Sequence, residues 1–121
     1  MAASEIERYL AAARTSLDRV EPADLAAAQK AGALVVDIRP AVNRETEGEL
    51  PGALVIERTV LEWRLDPTSP DRVAEAVPGR RVIVVCNEGY SSSLAARVLQ
   101  ELDVDATDLI GGYRAWRHEV G

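Results

Sequence analysis

The chain has 121 residues, the size of one ordinary domain, and hydrophobic residues make up 47% of it. Charged residues make up 28%, so the composition predicts a single hydrophobic core and argues against a disordered chain. The net charge of -6, with basic residues scattered along the chain, argues against a nucleic-acid-binding surface. No apolar run is long enough to cross a bilayer and the acidic N-terminus does not resemble a secretory signal, so we expect a cytoplasmic protein without membrane partners.

The first half of the chain predicts two helices and two strands. A helix is expected over residues 5–18, where apolar side chains recur at spacings of three and four and Ser4 is placed to cap the first turn. We interpret residues 1–18 as a helical extension packed on one domain, residues 19–121. The further elements expected here are a helix over 21–30, a buried strand over 33–38, a polar loop over 43–52 and a strand over 53–56.

The second half contains the strongest strand signal, the β-branched run over residues 82–86 that ends in Cys86. After a short loop, a helix is expected over residues 91–102, with Ser91 and Ser92 as its caps. The further elements expected are short helices over 61–65 and 70–76, a strand over 106–110 and a closing helix over 113–120. Because strands and helices alternate, the pattern predicts an α/β fold in which a parallel sheet has helices on both faces.

Cys86 is the only cysteine, and it is predicted to lie at the carboxyl end of a strand, where ligand sites occur. In open parallel α/β folds, ligands bind beyond the carboxyl ends of the strands, and we expect the strand before Cys86 to be central. Gly89 permits a tight loop with a positive φ, and the unpaired N–H groups of the next helix point back toward that loop. Such a turn stabilises a thiolate. The alternative is a structural role, because free cysteine usually behaves as a small buried hydrophobic residue.

A thiolate in this position suits sulfur transfer. It attacks the outer sulfur of a donor and becomes a persulfide, whose terminal anion lies where the loop amides converge. No general base, metal or other cofactor is required for this chemistry. One cysteine and one histidine form neither an internal disulfide nor a structural zinc site, and the reducing cytoplasm suits such a chain.

Four segments, taken in order from about residue 19 to residue 118, resemble the rhodanese-like domain family. They are Val35-Val36-Asp37-Ile38-Arg39, Gly48-Glu49-Leu50-Pro51-Gly52-Ala53, the strand and loop from Val82 to Ser92, and Leu109-Ile110-Gly111-Gly112-Tyr113-Arg114-Ala115-Trp116. The resemblance implies a three-layer fold with about five parallel strands and helices on both faces. It also implies a sulfurtransferase that uses a Cys86 persulfide and binds no metal.

The resemblance also implies a set of substrate-binding residues. The backbone amides of residues 87–92 would form an anion cradle, with two further residues at a neighbouring strand end. These are Asn87, Glu88, Gly89, Tyr90, Ser91 and Ser92, together with Asp37 and Arg39. The alternative for Asp37 and Arg39 is a purely structural ion pair.

The loop after Cys86 departs from the family pattern in its charge. The family often has arginine where this chain has Ser91 and Asn87, so the loop has no cation and one carboxylate, Glu88. A doubly anionic donor such as thiosulfate is therefore less favoured than a low-molecular-weight persulfide or a protein persulfide partner.

Related phosphatases use C-x5-R, so a phosphatase is not expected. Two alternatives remain, a non-catalytic interaction or regulatory domain and a redox sensor, and the sequence is compatible with a monomer or a homodimer.

Overall fold

The structure is a computed structural model and describes residues 2–121. In chain order the elements are α1 (Glu5–Arg14), α2 (Leu25–Lys30), β1 (Leu34–Asp37), α3 (Ala41–Glu47), β2 (Leu54–Val55), α4 (Leu61–Leu65), β3 (Arg81–Val85), α5 (Ser91–Glu101), β4 (Asp105–Asp108) and α6 (Gly112–Glu119). Single 3-10 turns precede α2 and α4. In the part of the chain that is described, no helix is long and apolar enough to cross a membrane.

The four strands form one parallel sheet in the order β2-β1-β3-β4, which confirms the predicted α/β architecture. Strand β3 lies between β1 and β4, so the residue that follows it, Cys86, stands at the carboxyl end of a central strand. A fifth strand is reduced to one residue, Val20, which forms an isolated parallel bridge with Leu109. Pro22 begins a 3-10 turn two residues later, and proline has no N–H with which to continue a ladder.

Hydrophobic residues on both faces of the sheet form the core. On one face Val84 packs with Leu61 of α4 and Leu99 of α5. On the other face Val85 packs with Leu25 of α2 and Tyr113 of α6. Successive side chains of β3 point to opposite faces, and those of residues 82–85 are all buried. These four residues therefore form a continuous apolar run, as expected for a parallel sheet between two helical layers.

Three local predictions were wrong. The predicted polar loop over 43–52 begins as helix α3, which has no buried residue and therefore no apolar periodicity to reveal it. The predicted helix over 70–76 is a series of turns, in which the Val73 N–H donates to the Arg64 carbonyl at 2.8 Å. Helix α1 ends at Arg14 rather than at residue 18. Ser4 does cap α1, because its hydroxyl accepts the Glu7 N–H.

The start of α6 lies against the end of β3. Gly111 and Gly112 both have positive φ, and a Cβ on Gly112 would lie 2.5 Å from the Cys86 carbonyl oxygen. The Tyr113 N–H donates to that oxygen at 2.8 Å, and the Arg114 N–H donates to the Asn87 carbonyl at 3.1 Å. Helix α6 therefore binds the backbone carbonyls of Cys86 and of the next residue, Asn87.

We expect Gly112→Ala to lower the free energy of unfolding by about 3 kcal/mol, because it combines a left-handed backbone with overpacking. The matched control is Gly79→Ala, which also has a positive φ but no atom within 4 Å of the added Cβ, and should cost about 1 kcal/mol. Urea unfolding of both variants measures the difference. Equal losses would show that the close approach of α6 to Cys86 has no energetic weight.

Candidate functional site

Cys86 is 6% exposed and its sulfur accepts two backbone hydrogen bonds. Sγ lies 3.1 Å from the Gly89 nitrogen and 3.4 Å from the Ser92 nitrogen. Gly89 has φ +86°, and a Cβ there would lie 2.7 Å from the Gly111 nitrogen, so glycine is required by both backbone conformation and space. Two N–H groups are therefore directed at one sulfur, which lies where backbone donors converge.

The cysteine loop, residues 87–92, wraps around this sulfur. Within residues 2–121 the amides of Glu88 and Tyr90 have no protein acceptor, so these N–H groups are available to an anion at the loop. The Tyr90 side chain is 62% exposed, and Ser91 is also exposed. The loop thus offers backbone N–H groups of the kind that bind an anion, although substrate binding by residues 87–92 stays a prediction.

The predicted role of Ser91 and Ser92 as side-chain caps was wrong. The N-cap position of α5 is Tyr90, and no side chain caps the helix. Ser92 is fully buried, and its hydroxyl instead donates to Asp108 Oδ2 at 2.7 Å. A capping hydroxyl accepts a backbone N–H, whereas the Ser92 hydroxyl is oriented by a charge-assisted hydrogen bond that it donates to a buried carboxylate.

Asp108, at the end of β4, is fully buried and collects four hydrogen bonds. Oδ2 accepts the hydroxyls of Ser92 and Ser93, each at 2.7 Å. Arg19 donates from Nε to Oδ1 at 2.8 Å and from Nη2 to Oδ2 at 3.2 Å. We call these four residues the Asp108 network. Sequence reasoning missed it, and its only signal was an aspartate within an apolar strand.

Asp37 and Arg39 form a buried ion pair. Arg39 Nη2 lies 2.8 Å from the Asp37 carboxylate and 2.9 Å from the Gly48 carbonyl oxygen. Its guanidinium carbon lies 3.8 Å from the centre of the Tyr113 ring. These contacts join β1 to the end of α3 and to α6, as a structural ion pair does, while substrate binding by the two residues stays a prediction.

The Glu47 carboxylate accepts hydrogen bonds from three side chains in and beside the cysteine loop. Arg114 donates to its Oε1 at 2.9 Å, and Asn43 and Asn87 donate to Oε2 at 3.2 Å. The hydrogen bond from Arg114, with smaller contributions from the two asparagines, lowers the pKa of Glu47 to about 2. Arg114 also lies 3.4 Å from Glu88, so the one carboxylate of the loop is paired with a cation from α6.

In residues 2–121, no group of three or more His, Cys, Asp and Glu side chains is arranged to hold a metal ion.

The family model for the rhodanese-like domain matches residues 21–119. The thiosulfate sulfurtransferase GlpE of Stutzerimonas stutzeri is 31% identical over 105 residues, covering 86% of this chain and 88% of that protein. An adenylyltransferase and sulfurtransferase of Emericella nidulans is 26% identical over 123 residues. The chain spans only 26% of the length of that relative.

Solved structures show the same fold. A Rhodopseudomonas palustris protein of unknown function, described as a possible tyrosine phosphatase, is 30% identical, with a TM-score of 0.86 over 100% of this chain and 95% of its own. A human single-domain sulfurtransferase matches with a TM-score of 0.70 at 21% identity, over 85% of this chain and 97% of its own. The likeness to the human protein establishes the fold alone.

We expect Arg114→Met to raise the pKa of Glu47 from about 2 toward its ordinary value of 4.5, because its strongest hydrogen-bond donor is lost. Because folding lowers the pKa of Glu47, the ionised Glu47 stabilises the folded state above pH 4.5. This stabilisation disappears as the pH falls toward 2. The variant should therefore lose less stability than the wild type in this interval. NMR titration of the Glu47 carboxyl carbon and urea unfolding at several pH values measure both effects.

The matched control is Arg117→Met, an exposed arginine of the same helix that forms no ion pair with Glu47 within the described chain. A Glu47 titration that is the same in both variants and in the wild type would contradict the assignment of Arg114 as its main partner.

Proposed function

Because the chain belongs to the rhodanese-like domain family, we propose that it is a sulfurtransferase which carries sulfane sulfur as a persulfide on Cys86. The observation that carries the proposal is the sulfur at the end of the central strand, which accepts the N–H groups of Gly89 and Ser92. Relatives named as sulfurtransferases, among them GlpE, support the same reaction class.

The first half-reaction loads sulfur onto Cys86. The Cys86 thiolate attacks the outer sulfur of a donor R–S–SH, and a new S–S bond forms as the donor's own S–S bond breaks. The bonding electron pair leaves with R–S⁻, which takes the proton released when the new Cys–S–SH ionises to Cys–S–S⁻. With thiosulfate the leaving group is sulfite, and no proton moves. Backbone amides that stabilise the terminal sulfur lower the barrier, because the negative charge develops where they converge.

The second half-reaction unloads the sulfur. An acceptor nucleophile attacks the outer sulfur of the persulfide, takes it, and returns the electron pair of the S–S bond to Cys86 as a thiolate. Cys86 is only 6% exposed, so the acceptor has to bring its nucleophile into the cysteine loop. This requirement favours a small thiol or a thiol at the end of a flexible segment of a protein partner.

The proposed donor is a low-molecular-weight persulfide or a protein persulfide partner. The adenylyltransferase and sulfurtransferase relatives combine two activities in one chain, which supports sulfur exchange with protein partners here. A reducing compartment such as the cytoplasm keeps a lone thiol available for this chemistry. The proposal is compatible with a monomer or a homodimer.

Incubation with a persulfide donor should add the mass of one sulfur atom to the intact protein, and cyanide or excess thiol should remove it. Cys86 is the only cysteine, so the adduct has one site, and Cys86→Ser should gain no mass. Intact-mass spectrometry measures both. No adduct with any donor would leave the non-catalytic alternative, and Cys86-dependent hydrolysis of an aryl phosphate would instead support a phosphatase.

The charge of Glu88 should set part of the donor preference. Glu88→Gln should raise the loading rate with thiosulfate about threefold and change the rate with a neutral alkyl persulfide much less, because one repulsive charge is removed beside the loop. Stopped-flow loading rates at low and high salt measure the effect, and Glu119→Gln, an exposed carboxylate of α6, is the control. An equal change for both donors would contradict an electrostatic origin.

A further inference from the structure

The Gly89 carbonyl, on the cysteine loop, accepts hydrogen bonds from two arginines. Arg14 Nη2 lies 2.7 Å from this oxygen and Arg19 Nη2 lies 3.1 Å from it. Both arginines precede residue 21, where the family match begins. A segment outside the matched domain therefore binds the loop that surrounds the candidate nucleophile.

The two arginines differ in how their charge is balanced. Arg19 forms an ion pair with the buried Asp108 carboxylate at 2.8 Å. Arg14 has no carboxylate within 4 Å in the described part of the chain, and its Nε donates to the Ser93 hydroxyl at 2.9 Å. Its guanidinium carbon lies 5.9 Å from the centre of the Tyr90 ring. Arg14 thus supplies a half-buried positive charge, without a carboxylate partner, to a loop whose own side chains include no cation.

The contacts of Arg14 are connected to the sulfur of Cys86 through the backbone. Gly89 donates its N–H to Sγ while its carbonyl is held by Arg14. The Gly89–Tyr90 peptide is trans, so fixing the carbonyl on one side fixes the Tyr90 N–H in the opposite direction. A cation on the carbonyl oxygen also polarises this peptide and makes its N–H a stronger donor.

Helix α1 is held firmly enough to present Arg14 to the loop. Ala13 is buried, and Leu17 packs against the core cluster that contains Val84 and Leu99. Gln100 of α5 donates to the Ser16 carbonyl at 3.0 Å and accepts the Ser16 hydroxyl at 2.7 Å. These contacts hold the turn that follows α1 beside α5.

We propose that Arg14 is a positioning residue for sulfur transfer, which holds the Gly89 peptide and the first turn of α5 and supplies the positive charge missing from the cysteine loop. The inference rests on the proposed persulfide function and assigns a role in it to the N-terminal helix. Arg14 acts on the reacting sulfur through the backbone amides of the loop and through its charge, and the hydrogen bonds of its side chain are to Ser93 and Gly89.

Arg14 is a better site for the test than Arg19. Removing Arg19 would leave Asp108 buried without its cation, and that loss would unfold the network for reasons unrelated to sulfur transfer. Removing Arg14 leaves no buried carboxylate unpaired. The matched control is Arg8→Ala, an exposed arginine of the same helix whose ion pair is with Glu5.

The experiment measures single-turnover loading of Cys86 by an alkyl persulfide in the full chain, over a range of donor concentrations. Arg14→Ala should lower the maximal rate about tenfold, which is about 1.4 kcal/mol of activation free energy, with little change in the half-saturating donor concentration. Arg14→Lys should recover part of the rate, because it keeps the charge without the geometry that binds two acceptors at once. Arg8→Ala should match the wild type.

Two further measurements separate positioning from folding. Circular dichroism gives the folded fraction of each variant, and rates are compared per folded molecule. Amide hydrogen exchange at Gly89 and Ser92 should become faster in Arg14→Ala and remain unchanged in Arg8→Ala.

The inference is overturned if Arg14→Ala loads at the rate of Arg8→Ala, or if its whole loss of rate disappears after correction for the folded fraction. In both cases the wild type still takes sulfur and the proposed function stands. A wild-type protein that takes no sulfur from any donor overturns the proposed function, and this inference with it.

Discussion

The buried carboxylate of Asp108 is the constraint on which the candidate site depends. An ionised carboxylate with no solvent exposure is costly unless cations and hydroxyls surround it, and here Arg19, Ser92 and Ser93 do so. Satisfying Asp108 draws the first turn of α5 toward β4, and that turn supplies the Ser92 N–H to the Cys86 sulfur. The same requirement brings Arg19 beside the Gly89 carbonyl.

A second buried aspartate holds the other side of the site in a comparable way. Asp37 ends β1 and binds Arg39, whose guanidinium lies against the Tyr113 ring at the start of α6. The Tyr113 N–H in turn binds the Cys86 carbonyl at 2.8 Å. Two carboxylates at the carboxyl ends of two strands therefore act on Cys86 through other residues. Asp37 acts through Tyr113 on the Cys86 carbonyl, and Asp108 acts through Ser92 on the N–H that reaches the sulfur.

The parts of the fold that leave a local pattern could be predicted from the sequence. The apolar runs before Asp37 and Cys86 identified the central strands, and glycine at position 89 identified the tight loop. Helix α3 was missed because none of its residues is buried, and the hydroxyl of Ser92 was misassigned because its partner is 16 residues away. The contact between Arg14 and Gly89 joins residues 75 positions apart, which no local periodicity or turn signal encodes.

The charge around the cysteine loop illustrates why such long-range contacts matter for function. Counted along the sequence, the loop has one carboxylate and no cation. In the folded chain Arg114 pairs with Glu88, and Arg14 and Arg19 bind the Gly89 carbonyl, so three arginines from other parts of the chain lie beside the same loop. Interactions between exposed charges are screened by salt, whereas two amides at 3.1 and 3.4 Å from the sulfur act without intervening solvent. The amides are therefore the nearest donors to the Cys86 sulfur, and the surrounding arginines act on the loop that carries these amides.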